Sequence, residues 1–193
     1  MGETELSFQL KPPETEPEQL RPAFGAVRFS GSRDEEEYEI EAGYQAGSHQ
    51  LQLAEEAPVK AGDMVLVYSD NDPELMYTQE KWKADWAEES LAQIVDVKAV
   101  SGTGVRIDRA LRLDFQAALN PRLRILDPIE WAGIESLSLE GLAPYDDTVV
   151  GLENARNCWV REVESAYTGR GHIWMNFSHF VTVTGNHVHH AYD

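Results

Sequence analysis

The segment Val150-Gly151-Leu152-Glu153-Asn154-Ala155-Arg156-Asn157-Cys158-Trp159-Val160 is echoed 23 positions later by Ile173-Trp174-Met175-Asn176-Phe177-Ser178-His179-Phe180-Val181-Thr182-Val183. Apolar residues recur at 150 and 173, 152 and 175, 158 and 181, and 160 and 183. Alternation inside each segment reads as short strands with one face inward, a period of two that a helix cannot hold. An offset of this size is one rung of a coiled β-structure. One rung earlier, Ile134, Leu137 and Leu139 match Val160, Val163 and Ser165 at an offset of 26, and Val183, Asn186 and Val188 follow at 23. Three successive turns are therefore visible. Asn186 falls at a core position, where an inward amide can satisfy backbone groups of an inner turn.

Composition bounds what such a coil can do. With 193 residues, 42% of them hydrophobic, the chain can bury one good core, or one domain plus an appendage. The formal charge of -18, from 34 acidic against 16 basic residues, repels nucleic acid and anionic membranes over the surface as a whole. Arg106, Arg109, Arg112, Arg122 and Arg124 form the dense basic stretch; spaced among Ile107, Leu111, Leu113, Leu123 and Ile125, they read as outward residues solvating a strand face. Cys158 is the only cysteine, equivalent in the repeat to Val181 and Ala132, and reads as an apolar filler inside the coil. No apolar run approaches the ~18 residues of a membrane span. The start, Met1 to Leu6, lacks the basic-then-apolar pattern of a secretory signal.

Along the chain, residues 1–22 mix proline with acid and read as a disordered linker. Residues 23–60 hold the strand-like pieces Ala26 to Phe29, Tyr38 to Ile40 and Gln50 to Leu53, taken as the first strands of the coil. Residues 61–115 read as a β-rich insertion: a buried strand at Met64 to Tyr68 and a hairpin of Gln93–Val100 and Val105–Asp108 around Ser101-Gly102-Thr103-Gly104. A short helix over Tyr77 to Leu91 places Trp82 and Trp86 on one face, either to dock on the hairpin or to hold a ligand. Residues 116–193 are assigned to the rungs.

Gly133-Ile134-Glu135-Ser136-Leu137-Ser138-Leu139, Leu152 to Val160 and Arg170-Gly171-His172-Ile173-Trp174 resemble the pectate-lyase-like family of right-handed parallel β-helices. That superfamily includes polysaccharide lyases and polygalacturonase-type hydrolases. The resemblance implies an all-β, right-handed parallel β-helix with a small insertion, hairpin plus short helix, near the N-terminal half. It also implies an extracellular or cell-surface location, a polysaccharide partner, and further C-terminal rungs past Asp193, making this chain an N-terminal fragment. Because one scaffold serves lyases, hydrolases, isomerases, adhesins and phage tail spikes, two functions stay open. One is binding or cleaving an extracellular polysaccharide, and the other a non-enzymatic surface or structural module.

Site candidates come from strand geometry. If Val150, Leu152, Ile173 and Met175 point inward, then Gly151, Glu153, Trp174 and Asn176 share the outward face, with Arg170 and His172 at its edge. In the resembled family this strand face commonly lines the substrate groove. An indole beside a carboxylate, an amide and a guanidinium is the chemistry of a sugar subsite. The competing reading has Trp174 packed beneath a loop and Glu153 paired with Arg170. Glu153 is the one clear carboxylate at these positions, whereas glycoside hydrolysis uses two, so catalytic residues stay unassigned.

His187 and His189 leave the same side of Val188 and could chelate a metal if Asp193 joined them; with no second cluster to complete a site, they are read as solvent-facing and no metal is assigned. Asp70 to Glu74 is rich in hard oxygen ligands, yet Leu75 and Lys81 stand where a calcium loop needs glycine and glutamate, so a turn is the expectation. No cofactor is assigned, and Ca2+ is the cation left open.

Overall fold

A computed structural model describes residues 5–8, 27–74, 87–141 and 148–192. In chain order the strands are β1 (Glu5–Phe8), β2 (Val27–Ser30), β3 (Ser32–Arg33), β4 (Tyr38–Ala42), β5 (Gln50–Leu53), β6 (Met64–Tyr68), β7 (Ala92–Ser101), β8 (Gly104–Ile107) and β9 (Arg122–Asp127). They continue as β10 (Ile129–Glu130), β11 (Gly133–Gly141), β12 (Thr148–Glu153), β13 (Ala155–Arg156), β14 (Trp159–Thr168), β15 (Gly171–Asn176), β16 (Thr182–Thr184) and β17 (His187–Ala191). Two compact units result: Met1–Ser32 with Pro128–Asp193, and Arg33–Asp127 between them in sequence. The architecture is all-β, a right-handed parallel β-helix carrying a β-rich insertion.

In the first unit every strand pairing among the described residues is parallel. One face stacks β1, β11 and β14, with β16 and β17 both on β14; a second stacks β2, β12 and β15; the third stacks β10, β13 and a bridge from Arg156 to His179. The register is the one the repeat implies. Val150 faces Ile173 and Leu152 faces Met175, while Ile134, Val160 and Val183 form one column and Leu137 with Val163 another. Leu139, Val150, Leu152, Ala155, Cys158, Val160 and Val163 fill the interior at no more than 1% exposure. Burial of such side chains stabilises by roughly 1.5–3 kcal/mol each for the larger ones.

The rung corners repeat as faithfully as the strands. Left-handed φ values recur at Trp131, Asn157 and Phe180, at Ser136, Glu162 and Gly185, at Asn154 and Phe177, and at Tyr167 and His190. Side chains other than glycine seldom adopt that region, so its recurrence on successive rungs marks bends imposed by closing the coil. Gly133 serves a different need: its φ is ordinary, but a Cβ there would overlap the Trp159 carbonyl and indole.

Two expectations for this unit are corrected. Glu5–Phe8, assigned to a disordered linker, pairs with Ser138 to Gly141 as β1; composition reports that a segment cannot order itself, not that a neighbouring strand edge will order it. The rest of residues 1–22 lies outside the described residues. Met175 takes a core column yet is 53% exposed, as are Val183 at 43% and Val188 at 48%. They sit on β15, β16 and β17, each of which has a partner on one side only among the described residues.

The second unit is antiparallel. Strands β9, β4, β5, β8, β7 and β6 follow one another, and β6 returns to β9, closing a six-stranded barrel. Closure leaves these strands no free edge. Tyr38, Ile40, Leu51, Leu53, Val65, Val67, Val95, Val97, Val105, Ile107, Phe115 and Leu123 form its core. The expected hairpin is present, with Val100 opposite Val105. The boundaries differ from the sequence reading, which gave Tyr38 to Leu53 and Arg122 onward to the coil. Ile40 pairs with Leu53 and Tyr38 with Leu123, both antiparallel. Alternation shows that a strand has a buried face but not which neighbour it pairs with. A 3-10 turn, Ala117–Leu119, follows β8. Most of the expected helix over Tyr77 to Leu91, with Trp82 and Trp86, lies outside the described residues.

Candidate functional site

The sheet of β2, β12 and β15 brings outward positions into two rows. Arg28, Gly151 and Trp174 are register partners, and so are Ser30, Glu153 and Asn176. Adjacent strands in such a sheet stand ~4.8 Å apart. Gly151 adds no side chain, so the first row presents a guanidinium and an indole on either side of it.

Glu153 is paired, but not with Arg170. Its Oε2 accepts from Arg28 Nη2 at 2.7 Å, and the same nitrogen reaches Ser30 Oγ at 3.3 Å. Arg170 instead lays its guanidinium over the Trp174 ring, 4.7 Å from the centroid. A contact of this kind is worth ~0.5–1 kcal/mol at an exposed site and caps one face of the indole. Trp174 is half-buried, and Val149 and Gly151 are buried, so the face is less open along β12 than alternation alone implies. Its accessible part runs from Asn176 and Glu153 to Arg28.

His172 engages Ser165, its Nδ1 lying 2.9 Å from Oγ. Burial, reinforced by the neighbouring His189, pushes its pKa below the ordinary histidine value. The Asn176 backbone carbonyl accepts from Asn154 N and Ser178 Oγ at the corner. Among the residues of β2, β12 and β15, Glu153 is the sole carboxylate. With Arg28 bound to it, this sheet lacks the pair of carboxylates that hydrolysis needs.

Arg28 and Ser30 escaped the sequence reading. Arg28 is separated from Glu153 by 125 residues, and the barrel insertion hides the rung offset that links them. The 26-residue and 23-residue echoes therefore could not reach β2.

The barrel has a polar cavity of about 420 Å3 lined by Glu37, Tyr68, Asp70, Glu89, Arg122 and Arg124 among others. Arg122 binds Asp70 at 2.6 Å and Glu37 at 3.3 Å, and Arg124 binds Glu89 at 2.6 Å, Tyr68 at 3.0 Å and Glu37. Both guanidinium groups lie 5.0 Å from the Tyr68 ring centroid. Burial pushes the Tyr68 phenol well above its usual pKa, and Glu37 ends below the usual carboxylate value because hydrogen bonds from Tyr68 and Arg124 outweigh its burial. Arg124, expected to solvate a face, is 9% exposed. Its charge is balanced inside this network, which organises the barrel wall. At Asp70 to Glu74, Asp70 is taken by Arg122 and Asn120, Asn71 by Ala87 and Ser90, and Asp72 by the Glu74 amide.

No helix among the described residues is long and apolar enough to cross a membrane. No known protein family matches the sequence, and no characterised protein matches it at a significant level. Solved structures do share the fold. The tailspike protein gp49 from Pseudomonas phage LKA1 aligns with a TM-score of 0.59 at 17% identity, over 84% of this chain and 26% of its own. The Pseudomonas phage phi297 tailspike gp61 aligns with a TM-score of 0.58 at 11% identity, over 84% of this chain and 33% of its own. The chain thus spans between a quarter and a third of each tailspike and shares its β-helical fold.

Proposed function

We propose that this chain belongs to a polysaccharide-binding β-helix protein of the tailspike or pectate-lyase-like kind, acting outside the cell, with a sugar subsite on the outward face of β2, β12 and β15. The observation that carries the reading is the row Arg28, Gly151, Trp174 beside the row Ser30, Glu153, Asn176. A pyranose stacks its apolar face on the Trp174 indole, and its hydroxyls take Asn176, Glu153 and Arg28. Arg170, stacked on the same ring, completes the platform, and His172 borders it.

Binding rather than hydrolysis is the role assigned to this sheet, because its single carboxylate is held by Arg28. Hydrolase chemistry in a longer protein would then belong to residues outside it. Met175, Val183 and Val188 occupy core columns yet are exposed among the described residues, an arrangement that suits further parallel strands packed beside β15, β16 and β17. Titration of neutral and uronate oligosaccharides, with and without Ca2+, tests the reading. Binding that disappears in Trp174→Ala supports it, and absence of binding to the folded wild-type chain favours a purely structural module.

A further inference from the structure

On another face of the coil, three parallel strands place Ser138, Glu164 and His187 in one register column, with His189 two residues farther along β17 opposite Ala166. Strand side chains two apart share a face, so both imidazoles meet the same carboxylate. His189 Nε2 lies 3.1 Å from Glu164 Oε1 and His187 Nδ1 lies 3.8 Å from that oxygen. One ligand atom from each of the three residues falls within 4.8 Å of the others.

We propose that Glu164, His187 and His189 bind a divalent transition-metal ion of the zinc class. Two neutral imidazoles and one carboxylate are a donor set that such ions favour, with a fourth position left for water or a ligand. At bond lengths of ~2.0–2.1 Å, tetrahedral donors stand about 3.3 Å apart, and small rotations of the exposed Glu164 and His187 and the half-buried His189 reach that spacing. A proton shared with Glu164 satisfies only one imidazole; a cation satisfies both, and the chain's charge of -18 attracts it.

The surroundings orient the donors. Ser138 Oγ donates to Glu164 Oε2 at 2.9 Å, leaving Oε1 toward the histidines. His189 Nδ1 lies 2.5 Å from His190 Nδ1, and a proton carried on His189 Nδ1 toward His190 leaves Nε2 with a lone pair for the metal. His190 is itself stacked on Tyr167 at 5.0 Å. Asp193, which the sequence offers as a carboxylate beside these histidines, lies outside the described residues, and Glu164 from the adjacent rung supplies the carboxylate.

The test is a Zn2+ titration of the full chain against a chromophoric chelator, repeated with Co2+ to read its visible spectrum. A single equivalent is expected, lost in His189→Ala and in Glu164→Gln, and weakened about 10-fold in Ser138→Ala, which removes only an outer partner. His49→Ala, on the barrel, is expected to bind like wild type. Circular dichroism confirms that each variant is folded. A wild-type chain that competes for neither ion, or variants at Glu164 and His189 that keep the equivalent, overturns the proposal. Glycan binding is read independently, so either result leaves the subsite to its own test.

Discussion

Asn186 bridges the adjacent rung through both ends of its amide: Oδ1 accepts the Val163 N–H at 2.9 Å and Nδ2 donates to the Val160 carbonyl at 3.0 Å. The two backbone groups flank the left-handed bend at Glu162, stacked on the bend at Gly185. A side chain in a core column thereby hydrogen-bonds a corner that the sheet ladder interrupts.

Replacing Asn186 with leucine is expected to destabilise the first unit by about 1–3 kcal/mol, because hydrogen-bonding partners are removed from partly buried groups. Asn186→Asp, which keeps the acceptor and loses the donor, should fall between leucine and wild type. Urea denaturation measures both; a leucine variant as stable as wild type would show that the bridge contributes nothing.

Gly133→Ala is expected to be more disruptive than its single methyl group suggests. The added Cβ meets the Trp159 carbonyl and the base of its indole on the neighbouring strand, and a backbone atom cannot swing aside. Overpacking of this kind costs about 1–3 kcal/mol. Gly185→Ala provides the comparison, since its Cβ would first meet the Glu162 side chain at 3.4 Å and the penalty comes from φ +67°. Thermal melting should place Gly133→Ala at or below Gly185→Ala, and the opposite order contradicts the packing argument.

Stability of the barrel should fall in alkali through Tyr38. Its hydroxyl donates to Glu36 at 2.7 Å, and that hydrogen bond, with burial, pushes the phenol up to about 12 from an ordinary 10. The folded chain then retains a proton that the unfolded chain loses. The contribution is complete below pH about 10 and declines as pH rises toward 12. Tyr38→Phe should remove this part of the decline, as read by denaturation midpoints across that window. An unchanged slope would deny Tyr38 the assigned shift.

How much was legible in the sequence follows from what each signal encodes. The rung register was readable because Val150 and Ile173 or Val160 and Val183 repeat a buried pattern at a fixed offset, and a parallel coil converts that offset directly into strand pairing. The amide of Asn186 was readable for the same reason. The barrel was not, because Tyr38 and Ile40 alternate alike whether their partners are parallel or antiparallel. Neither was the Arg28–Glu153 pair, since the intervening barrel erases the repeat between β2 and β12. At the corners, Asn154 and Asn157 suit a left-handed bend, but Trp131, Phe177 and Phe180 carry no such signal and take it from the stack. Met175 shows a complementary limit: its column was correct, and its exposure depends on which strands flank β15.

The most direct measurement is oligosaccharide binding to the wild-type chain and to Trp174→Ala, with Trp131→Ala as the control because Trp131 is 73% exposed at a corner and outside the subsite rows. Base-free stacking of a sugar on an indole draws on the same apolar contact that aromatic side chains supply elsewhere, so losing Trp174 should abolish binding while Trp131→Ala binds as wild type does. Arg28→Ala should weaken binding less, by removing one polar contact and releasing Glu153. Uronates should bind more weakly than neutral sugars unless Ca2+ bridges them to the acidic surface. If Trp174→Ala binds every glycan that the wild type binds, with unchanged affinity, the subsite on β2, β12 and β15 is contradicted.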